Sequence, residues 1–335
     1  MSSVGKNETL KVGLVGTGYA AKLRAQALQS DERATLVAVV GHTPAHTEEF
    51  CQTYSCEQMG EWEELVGRGD LDLAIVSTIN RDHGAIVRAA LEAGKHVVVE
   101  YPLTLDIKEA EELITLAKAK GKLLHVEHIE LLGGLHSELR RELPAIGTAF
   151  YARYSTIVPQ RPAPKKWTYH RELFGFPLMG ALSRLHRFTD LFGEVASVSC
   201  QSRFWGSDSE FYTACLCKAQ LCFTSGLVAE VTYGKGETLW QEERKFEVHG
   251  EKGGLIFDGD KGILVQAEEK TPIETGSRRG LFAQETGMVL DYLLEGKPLY
   301  VSADASLYAL KVADAARRSA ETGQAISVAG AHRGT

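Results

Sequence analysis

The stretch Lys11-Val12-Gly13-Leu14-Val15-Gly16-Thr17-Gly18-Tyr19-Ala20-Ala21 decides the fold. Lys11 to Gly16 reads as a short apolar strand, and Ala20 to Gln29 follows at once as a helix. A strand running into a helix through Gly-x-Gly-x-x-Ala is the dinucleotide fingerprint, with alanine tolerated in the third place. Gly16 permits the tight turn, Gly18 lets the backbone approach a pyrophosphate, and Ala21 keeps the helix close to the strand. The phosphates then sit on the helix N-terminus, where free N–H groups and the helix dipole favour anions. Thr17, Tyr19 and Ala20 complete the turn and are counted with the cofactor-binding residues.

Outward from that turn, apolar strands alternate with helical patterns. Strand Leu36 to Val40, helix Pro44 to Tyr54, strand Leu73 to Ser77 and helix His83 to Glu92 come first. Strand Val97 to Glu100, helix Ile107 to Ala119 and strand Leu123 to Val126 complete the set. This rhythm predicts a doubly wound parallel sheet over residues 1–130, a Rossmann domain. Past residue 130 the strands lengthen and follow one another directly: Phe150 to Ile157, Val195 to Phe204, Tyr212 to Phe223, Gly226 to Tyr233, Lys245 to His249 and Gly254 to Phe257. Residues 131–335 therefore read as an α+β domain with a large, mostly antiparallel sheet open on one face. Phe282 to Ala320 is helical again, interrupted by Gly296-Lys297-Pro298, and a C-terminal helix is expected to pack back on the first domain.

Composition narrows the function. With 335 residues there is material for two domains, and 44% apolar with 24% charged content is ordinary for a globular protein. A formal net charge of −7 excludes the basic footprint of a nucleic-acid binder. No apolar run approaches the length that spans a bilayer. Met1 to Leu10 is polar, unlike a secretory signal, so a cytoplasmic protein is expected. Cys51, Cys56, Cys200, Cys215, Cys217 and Cys222 form no Cys-x-x-Cys pair and have no histidines at zinc spacing. They read as reduced thiols, with no metal site.

The second strand ends Val40-Gly41-His42-Thr43, without the acid that grips the ribose hydroxyls in NAD-preferring sites. With no carboxylate to repel it, a 2′-phosphate is acceptable, and His42 and Thr43 can hydrogen-bond to it. NADPH is the expected cofactor, NADH the weaker alternative. No arginine stands at the expected place, and a plain solvated turn remains the other reading of His42 and Thr43. Ser77-Thr78-Ile79-Asn80 and His83 follow the strand that flanks the nicotinamide half. Ser77, Thr78 and Asn80 are assigned to that cofactor edge. His83 either touches the cofactor or caps its helix.

Together, Gly16-x-Gly18, Thr78-Ile79-Asn80-x-x-His83, Ala93-Gly94-Lys95-His96-Val97 and Glu100-x-Pro102 resemble the glucose–fructose oxidoreductase/inositol dehydrogenase family over almost the whole chain. Val99-Glu100-Tyr101-Pro102-Leu103, Leu124 to Leu132, Phe174-Gly175-Phe176-Pro177 and Leu182-Ser183-Arg184-Leu185 resemble its biliverdin reductase branch. Sugar-oxidising members end the strand Glu-Lys-Pro, and that lysine reaches the reacting carbon. Here Tyr101 takes its place. Those members also carry Asp-x-x-x-His before the Leu191-Phe192-Gly193-Glu194 turn, where this chain has Met179 and Ser183. Alcohol oxidation thus lacks its base.

The resemblance implies hydride transfer from NADPH to the central methine carbon of biliverdin, with one proton to a pyrrole nitrogen. Glu100 and Tyr101 belong to the cofactor edge, and Tyr101 suits a bilin-facing wall. Arg184 matches the arginine of the branch and is assigned to the bilin, assisting protonation by a hydrogen bond or through a water, because a guanidinium scarcely releases a proton. A structural salt bridge is the competing reading of Arg184 and of Arg187, one helical turn on. His125, Glu127, His128 and Glu130 surround the last Rossmann strand. Glu127 and His128 are taken as hydrogen-bonding groups on the substrate side rather than metal ligands. Lys235, Arg244, Arg278 and Arg279 are possible propionate partners, although for each a solvated surface charge is the better single reading. The alternatives are another NAD(P)H-dependent reductase of the same family and a non-catalytic dinucleotide-binding sensor. Monomer and homodimer both remain open.

Overall fold

The computed structural model of the protein describes residues 9–206 and 210–328. Most of the polar start and the last seven residues of the second expected domain lie outside them. In chain order the first elements are β1 (Leu10–Val15), α1 (Tyr19–Gln29), β2 (Ala34–Val40), α2 (Pro44–Tyr54), β3 (Glu57–Gln58) and α3 (Trp62–Gly67). Next come β4 (Leu73–Val76), α4 (His83–Glu92), β5 (His96–Val99), α5 (Ile107–Lys120) and β6 (Leu124–Val126). There follow α6 (Gly134–Glu142), β7 (Ala149–Pro159), α7 (Arg171–Phe174), α8 (Pro177–Gly180) and α9 (Ser183–Phe192). The strands β8 (Val195–Trp205), β9 (Ala214–Phe223), β10 (Val228–Gly236), β11 (Glu243–Gly250), β12 (Gly253–Asp258), β13 (Lys261–Gln266) and β14 (Glu269–Glu274) come after these. The chain closes with α10 (Leu281–Glu295), α11 (Ala303–Thr322) and β15 (Ile326–Ser327).

Two units result. The first runs to Ile129 and adds Arg279–Ser306. The second takes Glu130–Arg278 and the chain from Leu307 onward. In the first unit six parallel strands lie in the order β3-β2-β1-β4-β5-β6, the order of a Rossmann sheet. β4 is buried at every residue and β1 at all but Lys11, as expected for strands covered on both faces. Local signals set the helix ends. Asp106 caps α5 by accepting the Glu109 N–H at 2.8 Å, and Gly121, at φ 61°, turns the chain out of it. α10 lays Val289 and Leu290 into the core formed by Leu10, Val12 and Leu14 of β1 with Ala21, Ala25 and Leu28 of α1.

The second unit holds a nine-stranded sheet in the order β14-β13-β12-β11-β7-β10-β9-β8-β15. Only β7 and β10 pair in parallel, at its centre. β9 shows why one face stays open: Cys215, Cys217, Ala219 and Leu221 are buried, whereas Lys218 and Gln220 between them are exposed. All six cysteines are free thiols. No helix is long and apolar enough to cross a membrane among the described residues.

Candidate functional site

The first unit contributes the turn after β1. Gly16 has φ 117°, a region that side chains rarely adopt, and a Cβ there would lie 2.1 Å from the Ser77 carbonyl oxygen. Glycine is therefore required twice over, by conformation and by the close passage of the β4 end. Gly18 is different. A Cβ on it would meet nothing within 4 Å, so the backbone lies open. Gly18 is also the N-cap of α1, which has neither a side-chain cap nor an acid in its first turn. The first N–H groups of α1 are left for an anion, and the site fits a dinucleotide pyrophosphate. Ala21 is fully buried. Tyr19, 78% exposed, meets the Phe282 ring edge-on at 6.5 Å. Thr17 packs toward Gly41 at the end of β2, and His42 and Thr43 are exposed beside it.

The carboxyl ends of the strands are stitched together: Gly16 N–H donates to Val40, Ser77 N–H to Val15, Glu100 N–H to Val76 and Glu127 N–H to Val99. Ser77 and Thr78 are half-buried there, and Asn80 is buried. His83 is fully buried, with Nδ1 at 2.8 Å from the Pro102 oxygen and Nε2 at 3.2 Å from that of Thr78. Desolvation pushes its pKa below the ordinary value. This geometry displays a role not foreseen for it: His83 holds the loops after β4 and β5 together, while Asp82 occupies the N-cap of α4. Tyr101, half-buried, stacks on His128 with 5.4 Å between ring centroids and 5° between planes. His128 is in turn fixed through its backbone N–H to the Tyr300 hydroxyl and through Nε2 to Ser306, each at 2.8 Å.

Behind Glu100 lies a charge cluster that the sequence reading missed. Arg24 of α1 is fully buried, with its guanidinium 3.0 Å from Glu100 and 2.5 Å from Glu285 of α10. Glu285 also takes hydrogen bonds from His125 at 2.8 Å and from the Tyr300 hydroxyl at 2.6 Å. Burial disfavours the Arg24 charge, but Glu285, Glu100 and Glu127 outweigh it and hold the guanidinium protonated. Burial likewise works against the Glu285 carboxylate, yet Arg24 and His125 draw its pKa down to about 2. Glu127 goes the other way. Burial, reinforced by Glu100 and Glu285, raises its pKa well above that of a free carboxyl. Each carboxylate of the cluster disfavours the charge of the next. Glu127 is 2% exposed, and its Oε1 accepts the Ile129 N–H at 2.7 Å. It thus faces the protein interior, a departure from the substrate-side position expected for it. The signal overlooked was Arg24 itself, a cation at a core position of α1.

Within the second unit, taken by itself, lies a wall of cations and rings. Arg184, half-buried in the first turn of α9, donates to Ser183 Oγ at 2.8 Å and reaches Thr156 Oγ1 of β7 at 3.5 Å. Its guanidinium lies 5.6 Å from the Tyr233 ring centroid. Arg187 is 1% exposed and pairs with Glu130 at 2.5 Å, and Arg278 joins the same carboxylate. The salt-bridge reading of Arg187 is therefore the geometry observed. Lys235 is not a solvated charge: it is 6% exposed, donates to the Thr168 oxygen and is ringed by aromatic faces. Its ammonium is 3.9 Å from the Phe174 centroid, 4.7 Å from Tyr169, 5.4 Å from Tyr212 and 5.8 Å from Tyr233. Burial pushes its pKa down to about 8, while the ring faces favour the charged form, so it stays protonated at neutral pH. Tyr154, passed over in the sequence, is buried beside these arginines. Burial alone would raise its phenol pKa, but Arg187, Arg184 and Arg244 together lower it.

Where an alcohol-oxidising base would stand, Met179 and Ser183 are both buried, and Ser183 serves Arg184. His186 is buried too, its pKa driven down to about 4 by desolvation, so it is neutral across the physiological range.

Residues 10–128 match the model of an oxidoreductase family with an NAD-binding Rossmann fold, and residues 144–328 match that family's C-terminal alpha/beta domain. The crystal structure of biliverdin reductase from Synechocystis sp. PCC 6803, in complex with biliverdin and NADP+, superposes with a TM-score of 0.92 at 54% sequence identity. That match covers 93% of this chain and 99% of the Synechocystis one. Biliverdin reductase A of Mus musculus is 32% identical over 274 residues, which is 76% of this chain and 84% of the mouse protein. Levoglucosan dehydrogenase, in a complex with NADH and levoglucosan, shares the fold at a TM-score of 0.83 but 18% identity, covering 96% of this chain and 100% of that one. The chain belongs to the glucose–fructose oxidoreductase/inositol dehydrogenase family of oxidoreductases, and within it to the biliverdin reductases.

Proposed function

We propose that the protein is a cytoplasmic, NADPH-dependent reductase of biliverdin, forming bilirubin by hydride delivery to the central methine carbon and protonation of a pyrrole nitrogen. The observation that carries this reading is the half-buried Arg184 on its aromatic wall, in a chain 54% identical to an enzyme crystallised with both biliverdin and NADP+. In this reading Gly16, Thr17, Gly18, Tyr19, Ala20 and Ala21 hold the pyrophosphate at the head of α1. His42 and Thr43 bound the ribose end, while Ser77, Thr78, Asn80, Glu100 and Tyr101 form the nicotinamide edge, with His83 bracing it from behind. Bound NADPH supplies the hydride; NADH would serve less well.

The remaining work falls to side chains of this protein. Tyr101, backed by His128, offers a flat face to a flat conjugated substrate. Arg184 donates a hydrogen bond to the bilin and orders the water that delivers the proton, since its own proton stays bound. Arg187 and Lys235 add positive charge that favours the propionates. Glu127 acts through Glu100 and Arg24 rather than on the substrate. Either a monomer or a homodimer fits this reading, and small-angle scattering distinguishes them.

The test is direct: mix protein, NADPH and biliverdin and follow the visible spectrum. Loss of the bilin band with one NADPH oxidised per bilin is expected. Tight NADPH binding with no turnover would instead identify a sensor, and the reading would fall.

A further inference from the structure

An NADPH-binding site must grip a 2′-phosphate, and the segment after β2 is short of the means. Between Leu36 and Gly67 the chain has no lysine and no arginine. A dianion held there needs a cation from another element. The structure offers a place for it. A groove of about 430 Å³ runs between α1 and α2, with Thr17 of the glycine turn at its mouth. Lys22 and Gln26 line it from α1, and His46 and Glu49 from α2, over Phe50.

Three further observations point to an anion at that mouth. The end of β2, the glycine turn and the first turn of α2 converge there, since a Cβ on Gly41 would lie 2.5 Å from Thr47 Oγ1 and 2.8 Å from Thr17 Cγ2. With a pyrophosphate on α1, the 2′-oxygen of the ribose hangs over the end of the second strand. Neither helix carries an acid in its first turn. Finally, Lys22 and His46 are exposed, and neither side chain makes a hydrogen bond or an ion pair among the described residues. They are two hydrogen-bond donors with no structural employment, facing one groove from opposite sides. Glu49, one turn beyond His46, is the single acid among the lining residues and acts against them.

We propose that Lys22 and His46 clasp the 2′-phosphate of the dinucleotide across this groove and so set the preference of the protein for NADPH over NADH. This assignment rests on the reading of the protein as an NADPH-dependent reductase. Lys22 carries the larger share, because an ammonium meets a phosphate with charge-assisted hydrogen bonds. His46 adds a ring N–H donor.

The test reads cofactor binding without any bilin, by titrating NADPH and NADH into the protein and following nicotinamide fluorescence. For Lys22→Gln the ratio of the NADPH to the NADH dissociation constant should rise about tenfold, the loss expected of one charge-assisted hydrogen bond. His46→Gln should raise it by a few-fold. Glu49→Gln should move the ratio the other way, tightening NADPH alone. Binding of NADH by each variant certifies the fold. A wild-type protein that does not discriminate between the cofactors would overturn the proposal, as would a Lys22→Gln/His46→Gln double variant with an unchanged ratio. Absence of biliverdin turnover would sink the functional reading and leave this measurement intact, so the two failures are distinguishable.

Discussion

Arg184 and Lys235 are both cations on the same wall, yet their surroundings give them different work. Arg184 stays partly exposed and has two hydroxyl tethers, the setting of a group that must meet a ligand in a fixed orientation. Replacing it with alanine should lower turnover of biliverdin about 10- to 100-fold while NADPH affinity stays within about twofold. Steady-state kinetics beside a fluorescence titration check this, and equal turnover would remove Arg184 from the mechanism. Lys235 is instead sealed in, and its burial has a signed consequence. The unfolded lysine holds its proton up to about 10.5 and the folded one only to about 8, so the burial penalty is present in full below pH 8 and fades as pH rises toward 10.5. The penalty is on the order of 2–3 kcal/mol, part of it offset by the four ring faces. Lys235→Met should therefore be stabilising at pH 7, with an advantage over the wild type that shrinks by pH 10. Urea midpoints for both proteins across that range measure it, and a gap indifferent to pH would refute it. In the sequence Arg184 was legible because it stands in a recognisable Ser-Arg-Leu run. The burial of Lys235 was not, because its four rings come from segments as far apart as Tyr169 and Tyr233.

At the level of elements, the alternation of apolar strands and helices placed every strand of the parallel sheet except β3, found α2, and gave α4 to the residue. Three of the pieces it missed have a plain cause. β3 has two residues, both exposed, and α3 has six, too few for a period to register. β14 exposes five of its six residues and carries Pro272, so it shows no apolar alternation, as befits an outer strand. The pairing of α1 with α10 was invisible for another reason: Arg24 and Glu285 are 261 positions apart. Glu285→Ala should cost about 3–5 kcal/mol of stability, because it leaves the Arg24 charge buried with half its partners gone. Denaturant titration of the protein without cofactor reads that loss, and a cost below about 1 kcal/mol would show the pair to be unimportant. The turn after β1 allows a sharper forecast. Gly16→Ala forces both a rare φ and a collision with the Ser77 carbonyl, so stability should fall by about 1–3 kcal/mol with dinucleotide binding impaired in parallel.

For the whole molecule, the fold class and the family could be read from local motifs, since a glycine turn and a strand-end tripeptide are short-range signals. The candidate site could be read only in part. Its residues were named one by one, but the interior position of Glu127 and the arginine company of Tyr154 depend on packing that no spacing rule encodes. The first unit is also assembled from two separate stretches of chain, ending at Ile129 and resuming over Arg279–Ser306. That discontinuity bears on biosynthesis. A nascent chain that has just released Ile129 from the ribosome still lacks α10, and with it the Glu285 carboxylate and the Val289 and Leu290 side chains that complete the core of that unit. At ordinary rates of translation the missing segment arrives about 9 to 35 s later. During that interval the nucleotide-binding unit exists as an unfinished intermediate with a half-paired cation, held by Glu100 alone, the stage at which a chaperone has most reason to hold it.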